Sequence, residues 1–244
     1  MKNILGRVFA FWALVVFVST MFIAILAAWT IGLWPEPKRS QFMQVIFTVW
    51  MKVFFTLTGV RRTFKGRAHF KKNKTYIVVC NHNSYMDPPL SSPAIPGANK
   101  TIAKSEMAKI PLFGIVYKRG SVLVNRKSEE NRKQSYAQMK NVLSMGMHMC
   151  IYPEGTRNKT NEPLQKFHDG AFRLSVETGH EVIPALLFHT KKVLPHNKTF
   201  FFWPHSVEMH FLPPISPDTK SVAVLKEEVF EYMKLYYTKE LAKN

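Results

Sequence analysis

The chain has only two cysteines in 244 residues, Cys80 and Cys150, and they do not form a C-x-x-C pair. Their scarcity excludes a disulfide framework and a cysteine-based zinc site. No repeat of solenoid period is present, and no two histidines show the H-x-x-x-H metal spacing. We therefore expect one folded domain with a membrane element, two buried free thiols, no metal and no cofactor.

Acidic residues are also scarce, because 16 Asp and Glu stand against 34 Lys and Arg, giving a formal net charge of +18. Such a surface attracts nucleic acid, anionic lipid headgroups, a phosphorylated substrate or an acidic carrier protein. No recognisable nucleic-acid module is present. We expect lipid or phosphorylated partners and no nucleic acid. The alternative from another class is a basic, membrane-associated binding protein without catalysis, and the oligomeric state stays open.

The first quarter of the chain is hydrophobic. Residues 8–34 carry no charge, and as a helix they would run about 40 Å, more than the roughly 30 Å of bilayer hydrocarbon. Pro35 and Pro37 end this segment, and residues 41–60 form a second apolar segment with a thin polar stripe at helical spacing. We predict a membrane-anchoring two-helix element over residues 1–60, either spanning or monotopic. Its basic flanks are alike, so the positive-inside rule does not orient it.

Residues 61–74 hold seven Lys and Arg and no acidic residue. This run is typical of a segment that binds anionic headgroups, and a solvated loop is the alternative. Beyond it, apolar runs typical of strands alternate with helical patterns. The predicted strands are 76–80, 101–103, 121–124, 149–152, 181–188 and 207–212, and the predicted helices are 128–145, 171–178 and 219–241. The pattern predicts an α/β domain over residues 61–244, a mixed sheet flanked by helices.

A histidine and an aspartate follow the first predicted strand in the run Asn81-His82-Asn83-Ser84-Tyr85-Met86-Asp87, an H-x-x-x-x-D spacing. Neutral imidazole accepts a proton at physiological pH, and a carboxylate can hold its other ring nitrogen. The pair is thus a candidate general base with its orienting group. The structural alternative is that Asp87, which precedes Pro88, caps a helix.

A second motif, Pro153-Glu154-Gly155-Thr156-Arg157, follows another predicted strand. Gly155 permits close backbone approach, Thr156 supplies a hydroxyl, and Arg157 offers a planar fork for phosphate. Glu154 would anchor that arginine or a neighbouring loop. A plain turn with a surface arginine is the alternative. Lys104 and Arg126 stand at two further strand ends, where each by itself is as readily a solvated cation.

With these blocks in this order, the chain resembles the glycerolipid acyltransferase family. The matching blocks are 81–87, 120–126, 153–157 and 182–185, so the resemblance covers roughly residues 61–214. Asn125 stands where the family commonly has Asp, and Ala185 where it usually has Val. Neither departure touches the candidate base or its partner.

The resemblance implies transfer of an acyl chain from acyl-CoA or acyl carrier protein to the sn-2 hydroxyl of 1-acyl-glycerol-3-phosphate, giving phosphatidic acid. His82 would act as general base and Asp87 would orient it, without an acyl-enzyme. Arg157, Arg126 and Lys104 would bind the acceptor phosphate, and Glu154, Gly155 and Thr156 would shape that pocket. Another lyso-lipid or glycerol 3-phosphate is the alternative acceptor.

Four Asn-Lys-Thr triplets match the N-glycosylation pattern. One of them begins at Asn158, where a glycan would lie against the Glu-Gly-Thr-Arg turn. We interpret the triplets as chance matches and expect a membrane protein with its active site on the cytosolic side.

Overall fold

Strands and helices alternate along most of the chain, as the sequence predicted. The computed structural model describes residues 1–125 and 128–243. Its helices are α1 (Lys2–Thr30), α2 (Lys38–Leu57), α3 (Asp87–Ala94), α4 (Gly114–Gly120), α5 (Glu129–Ser144), α6 (Gly170–Thr178), α7 (Thr190–Val193) and α8 (Val222–Leu241). Its strands are β1 (Arg62–Lys65), β2 (Ile77–Cys80), β3 (Asn99–Lys104), β4 (Ser121–Val124), β5 (His148–Ile151), β6 (Val182–Phe188) and β7 (Val207–Phe211).

The described strands form one sheet in the order β1-β7-β6-β2-β5-β3-β4. Neighbouring strands from β6 to β4 are parallel, β7 is antiparallel to β6, and β1 is parallel to β7. The predicted mixed sheet is therefore confirmed. Because β2 lies in the middle, the residues that follow it emerge at the carboxyl edge of the parallel strands, where α/β proteins place ligands.

Helices cover both faces of the sheet. Val78 and Cys80 of β2 lie in an apolar cluster with α1, α2 and α3, whereas Ile77 and Val79 lie in a second cluster with α5, α6 and α8. This alternation follows from the two-residue period of a strand. Cys80 and Cys150 are buried free thiols, as expected, with their sulfur atoms 3.9 Å apart.

The hairpin of α1 and α2 packs on the first of these faces. The indole N–H of Trp50 donates to the hydroxyl of Thr20 at 2.9 Å, which joins the two helices. Gly6 lets α1 approach the segment before β7, since a Cβ there would lie 2.1 Å from the ring of Phe201. The hairpin thus forms one wall of the space in front of the sheet.

The outward side of the hairpin stays apolar. Residues Lys2–Leu33 and Lys38–Leu57 are long and apolar enough to cross a membrane by length and composition. Large side chains such as Ile23, Leu26 and Trp29 are exposed there. An extended apolar surface of this kind marks contact with a membrane or another protein, and it is consistent with membrane association. The division at residue 60, and the choice between spanning and monotopic insertion, stay predictions.

The structure differs from the sequence predictions in two places. Residues Arg62–Lys65, inside the basic run, form strand β1 and not a loop, while headgroup binding by the run stays a prediction. The last helix begins at Val222 with Ser221 as its cap, three residues after Thr219. Helix α2 buries Met43, Trp50, Met51, Phe54 and Phe55 in the domain. Most of its polar stripe is exposed, and Gln44 of that stripe donates to the carbonyls at 92 and 95.

Candidate active site

The loop that carries His82 is fixed to the end of β6. Asn81 is buried, and its side chain makes two hydrogen bonds to the backbone of Leu187. The amide group of Asn81 donates to the Leu187 carbonyl at 3.1 Å, and its oxygen accepts the Leu187 N–H at 2.7 Å. Just beyond the last paired residue of β2, these two bonds join Asn81 to β6. They hold the backbone in place where the chain leaves the sheet and His82 begins the loop.

His82 and Asp87 come together as the sequence predicted. The Nδ1 atom of His82 lies 2.8 Å from Oδ2 of Asp87. A carboxylate only accepts, so Nδ1 carries the proton and Nε2 keeps its lone pair. The His82 side chain is 18% exposed while that of Asp87 is fully buried. The arrangement therefore presents a proton acceptor to the cavity and hides its orienting group.

The expectation that Asp87 caps a helix is wrong. Asp87 is the first residue of α3, and no side-chain cap bond is present at this end of the helix. Its Oδ2 instead accepts the backbone N–H groups of Asn83 and Ser84, at 2.5 and 2.7 Å. The short loop between the histidine and the aspartate closes around the carboxylate, which stabilises its charged form inside the protein.

Tyr152 supports the face of the histidine, a contact that the sequence analysis missed. Its ring stacks on that of His82 with centroids 4.4 Å apart. The Tyr152 hydroxyl lies 2.7 Å from the Ser91 hydroxyl on α3. Tyr152 directly follows β5, and the pairing of β5 with β2 brings it beside His82. His82 is thus held through one ring nitrogen and one ring face.

Glu154 ties the two motif loops together. Its carboxylate accepts the N–H of His82 at 2.9 Å and the N–H of Gln165 at 3.2 Å. The sequence analysis expected Glu154 to anchor either Arg157 or a neighbouring loop. In the structure it anchors the loops. Burial raises the pKa of Glu154 from 4.5 to about 7, against the lowering effect of these N–H donors.

This raised pKa predicts a pH dependence of stability. In the unfolded chain Glu154 titrates near 4.5 and in the folded chain near 7, so between these values the folded state binds more protons. The resulting stabilisation is complete below pH 4.5 and is lost as the pH rises through 7. The unfolding free energy of wild type minus that of Glu154→Gln is expected to fall by about 3 kcal/mol between pH 4.5 and pH 8. Urea unfolding of both proteins in detergent measures this difference, and a pH-independent difference would contradict it.

Arg157 lies above the ring of Tyr85, a residue of the histidine loop. The guanidinium carbon is 3.6 Å from the ring centroid. The N–H of Asn158 donates to the carbonyl of His82 at 2.6 Å, so backbone and side chains join the same two loops. A cation–π contact of this kind uses the charge of the guanidinium without using up its N–H donors, which stay able to bind an anion. Within the described residues, Arg157 forms no ion pair.

One cavity of about 1390 Å³ connects these groups. His82, Lys104, Gly155, Thr156 and Arg157 line it, while Asp87 and Glu154 lie behind the lining. Gly155 adopts a left-handed conformation at φ 70°, which favours glycine at this turn. Arg126, the remaining predicted phosphate ligand, lies outside the described residues.

Side chains from both faces of the sheet line the cavity, and we call the two parts of this lining its branches. The hairpin branch lies on the α1 and α2 side and is lined by apolar residues: Ala13, Phe17, Met43, Trp50, Met51 and Phe54. The α5/α6 branch lies on the other side and is lined by Ile102, Ser135, Tyr136, Met139, Ile151 and Ala171. No acidic side chain lines either branch among the described residues. An apolar space ending at basic groups fits an amphipathic anion.

The family model that matches the chain is named Acyltransferase and covers residues 61–187. The chain belongs to the acyltransferase family. Proteins named 1-acyl-sn-glycerol-3-phosphate acyltransferase match at 26% identity in Borreliella burgdorferi, over 62% of this chain and 60% of that relative, and at 27% in Helicobacter pylori, over 76% and 77%. The mouse alpha form matches at 27%, over 66% of this chain and 57% of its own length.

The chain spans about 60% of the length of the first of these relatives. A crystal structure named as the 1-acyl-sn-glycerophosphate acyltransferase PlsC from Thermotoga maritima superposes with a TM-score of 0.85 at 22% identity, over 99% of this chain and 98% of that one. At this identity the likeness shows the fold, including the two-helix N-terminal element. The family match spans the histidine loop, Lys104 and the 153–157 turn, but the roles of these acyltransferase residues stay predictions.

Among the described residues, no group of three or more His, Cys, Asp or Glu side chains is placed to hold a metal ion. That the acyltransferase needs no metal or cofactor stays a prediction. The backbone N–H of His168 donates to the carbonyl of Pro153 at 2.9 Å. His168 also lines the cavity, which the sequence analysis missed because the contact depends on the folded loop.

Proposed function

We propose that this acyltransferase moves an acyl chain from a thioester, carried by coenzyme A or an acyl carrier protein, to the free sn-2 hydroxyl of 1-acyl-glycerol-3-phosphate. The product is phosphatidic acid for phospholipid synthesis. The observation that carries the proposal is the His82–Asp87 pair, 2.8 Å apart, beside a cavity that Arg157 and Lys104 also line. A base and cationic groups in one cavity match an acceptor with both a hydroxyl and a phosphate.

The proton transfers need only His82. Its Nε2 takes the proton of the acceptor hydroxyl as that oxygen attacks the thioester carbonyl. The carbon–sulfur bond then breaks, and the imidazolium returns the proton to the leaving thiolate. Asp87 stabilises the imidazolium through Nδ1. One base serves both steps without an acyl-enzyme, and the scheme uses no metal.

Arg157 and Lys104 are the described residues that we assign to the acceptor phosphate, together with Arg126. Arg157 offers a fork of N–H donors and Lys104 a point charge. Gly155 and Thr156 shape the turn beneath the phosphate. Two cations near one phosphate also place the acceptor hydroxyl at a set distance from His82, which lowers the entropic cost of the attack.

The hairpin branch suits the acyl chain, since its lining from α1 and α2 is apolar. The outward apolar side of the hairpin would lie at the membrane, where the lipid acceptor resides. The basic surface would attract anionic headgroups to the same place. We assign the active site to the cytosolic side, where acyl thioesters are made available.

The proposal is tested by assaying the 244-residue chain in membranes with palmitoyl-CoA and, separately, palmitoyl-acyl carrier protein. Lysophosphatidic acid is expected to be acylated in preference to glycerol 3-phosphate and to lysophosphatidylcholine. A faster reaction with glycerol 3-phosphate or lysophosphatidylcholine would show that the proposed acceptor is wrong and identify the preferred one. Absence of transfer to all three would reject the proposal for this chain.

A further inference from the structure

The proposed function places the acyl chain in the hairpin branch and assigns no ligand to the α5/α6 branch. Ile102 and Ile151 point to the sheet face opposite the hairpin, in the cluster that includes α5 and α6. The cavity nevertheless reaches both of these side chains as well as His82. The lining of this one cavity thus includes the base and side chains on both faces of the sheet.

This branch carries positive charge at its open end. Arg132 of α5 is exposed, and His168, just before α6, is exposed too; both line the cavity. Lys159 lines it as well. Arg132 has no ion-pair partner in the described part of the chain, whereas the next residue, Lys133, is paired with Glu129 at 2.9 Å. The arginine that lines the branch is thus available to an anionic ligand.

The surface around this branch faces water. No large hydrophobic side chain is exposed on α5 or α6, both of which are fully described. The hairpin, on the opposite face of the sheet, exposes a series of them. A lipid acceptor held at a bilayer would reach the cavity from the hairpin side. The basic lining and the polar surroundings favour a water-soluble anion as the occupant of the α5/α6 branch, with its reactive end near His82.

We propose that the α5/α6 branch binds the phosphorylated pantetheine arm of the acyl donor, with Arg132 and His168 facing its phosphates. The inference rests on the proposed function, in which the donor is a thioester. Coenzyme A and acyl carrier protein share this arm, which is long, mostly uncharged and phosphorylated at the end away from sulfur. Such a ligand matches a branch that is apolar near the sheet and basic at its mouth.

The test is the donor dependence of Arg132→Gln in the 244-residue chain. The KM for palmitoyl-CoA or for palmitoyl-acyl carrier protein is expected to rise about 3–10-fold, the range for losing one charge-assisted contact. The KM for lysophosphatidic acid should not change. The donor whose KM rises identifies the source of the arm. Lys133→Gln, one residue along the same helix and outside the lining, is the matched control and should leave both values unchanged.

Unchanged donor KM values in Arg132→Gln, or a raised KM for lysophosphatidic acid instead, would overturn the assignment while leaving the proposed function intact. Binding of free coenzyme A, measured by calorimetry without any acceptor, tests the branch assignment separately from the proposed acceptor. Weaker binding to Arg132→Gln than to Lys133→Gln supports the branch assignment even when the acceptor is misidentified. Equal binding of coenzyme A to the two variants, together with an unchanged KM for palmitoyl-acyl carrier protein in Arg132→Gln, rejects the branch assignment.

Discussion

Replacing His82 with alanine is expected to lower kcat for acyl transfer by about 10²–10⁴-fold, the usual contribution of a general base. The Nε2 atom faces the cavity while Nδ1 is held by Asp87 at 2.8 Å, so alanine removes the proton acceptor and the proton donor to sulfur together. The rate of phosphatidic acid formation at saturating donor and acceptor measures the loss.

The control for this variant is His196→Ala, because His196 is exposed and does not line the cavity. Circular dichroism and membrane binding should match wild type in both variants. Activity of His82→Ala within a few fold of His196→Ala would reject His82 as the base. It would also require another group in the cavity to accept the proton.

Arg157→Ala is expected to raise the KM for lysophosphatidic acid about 10–100-fold, as for loss of hydrogen bonds to a charged group. The guanidinium edge that we assign to the phosphate disappears, and Lys104 alone offers a point charge. Arg157→Lys should recover part of the affinity, since an ammonium keeps the charge without the fork. Steady-state kinetics at fixed donor concentration gives both values.

Tyr85 offers a graded comparison for the same site. Its ring lies 3.6 Å from the guanidinium carbon of Arg157, so Tyr85→Leu should raise the same KM about 2–10-fold and Tyr85→Phe should not. A phosphate-free acceptor, if turned over at all, should be insensitive to Arg157→Ala. Equal losses with phosphate-bearing and phosphate-free acceptors would contradict phosphate binding and indicate a structural role for the arginine.

Local patterns in the sequence were enough for the general architecture. Runs of β-branched and apolar residues predicted the buried central strands. The helical pattern over residues 128–145 predicted α5, which begins at Glu129 with Ser128 as its cap. The charge-free N-terminus predicted the apolar hairpin. These signals work because the period of burial and the chemistry of helix ends are properties of neighbouring residues. The blocks at His82 and Glu154 likewise lie at strand ends.

Short or exposed elements could not be predicted in this way. Strand β1 has four residues, two of them exposed, and its basic composition resembles a loop. It is a strand because β7 offers its edge, more than a hundred residues further along the chain. The N–H groups of Asn83 and Ser84 that bind Asp87 could not be predicted either, since Asp-Pro indicates a helix start whether or not the carboxylate turns back to them.

The sequence by itself determined the hydrophobic hairpin, the α/β class and the residues that carry the candidate chemistry. Only the tertiary structure decided what surrounds them: Tyr152 on the face of His82, Glu154 between the two loops, and a cavity with a branch on each face of the sheet. Strand order and register bring together side chains that are far apart in the chain. Those contacts depend on the packing of the whole sheet, and no local pattern encodes them.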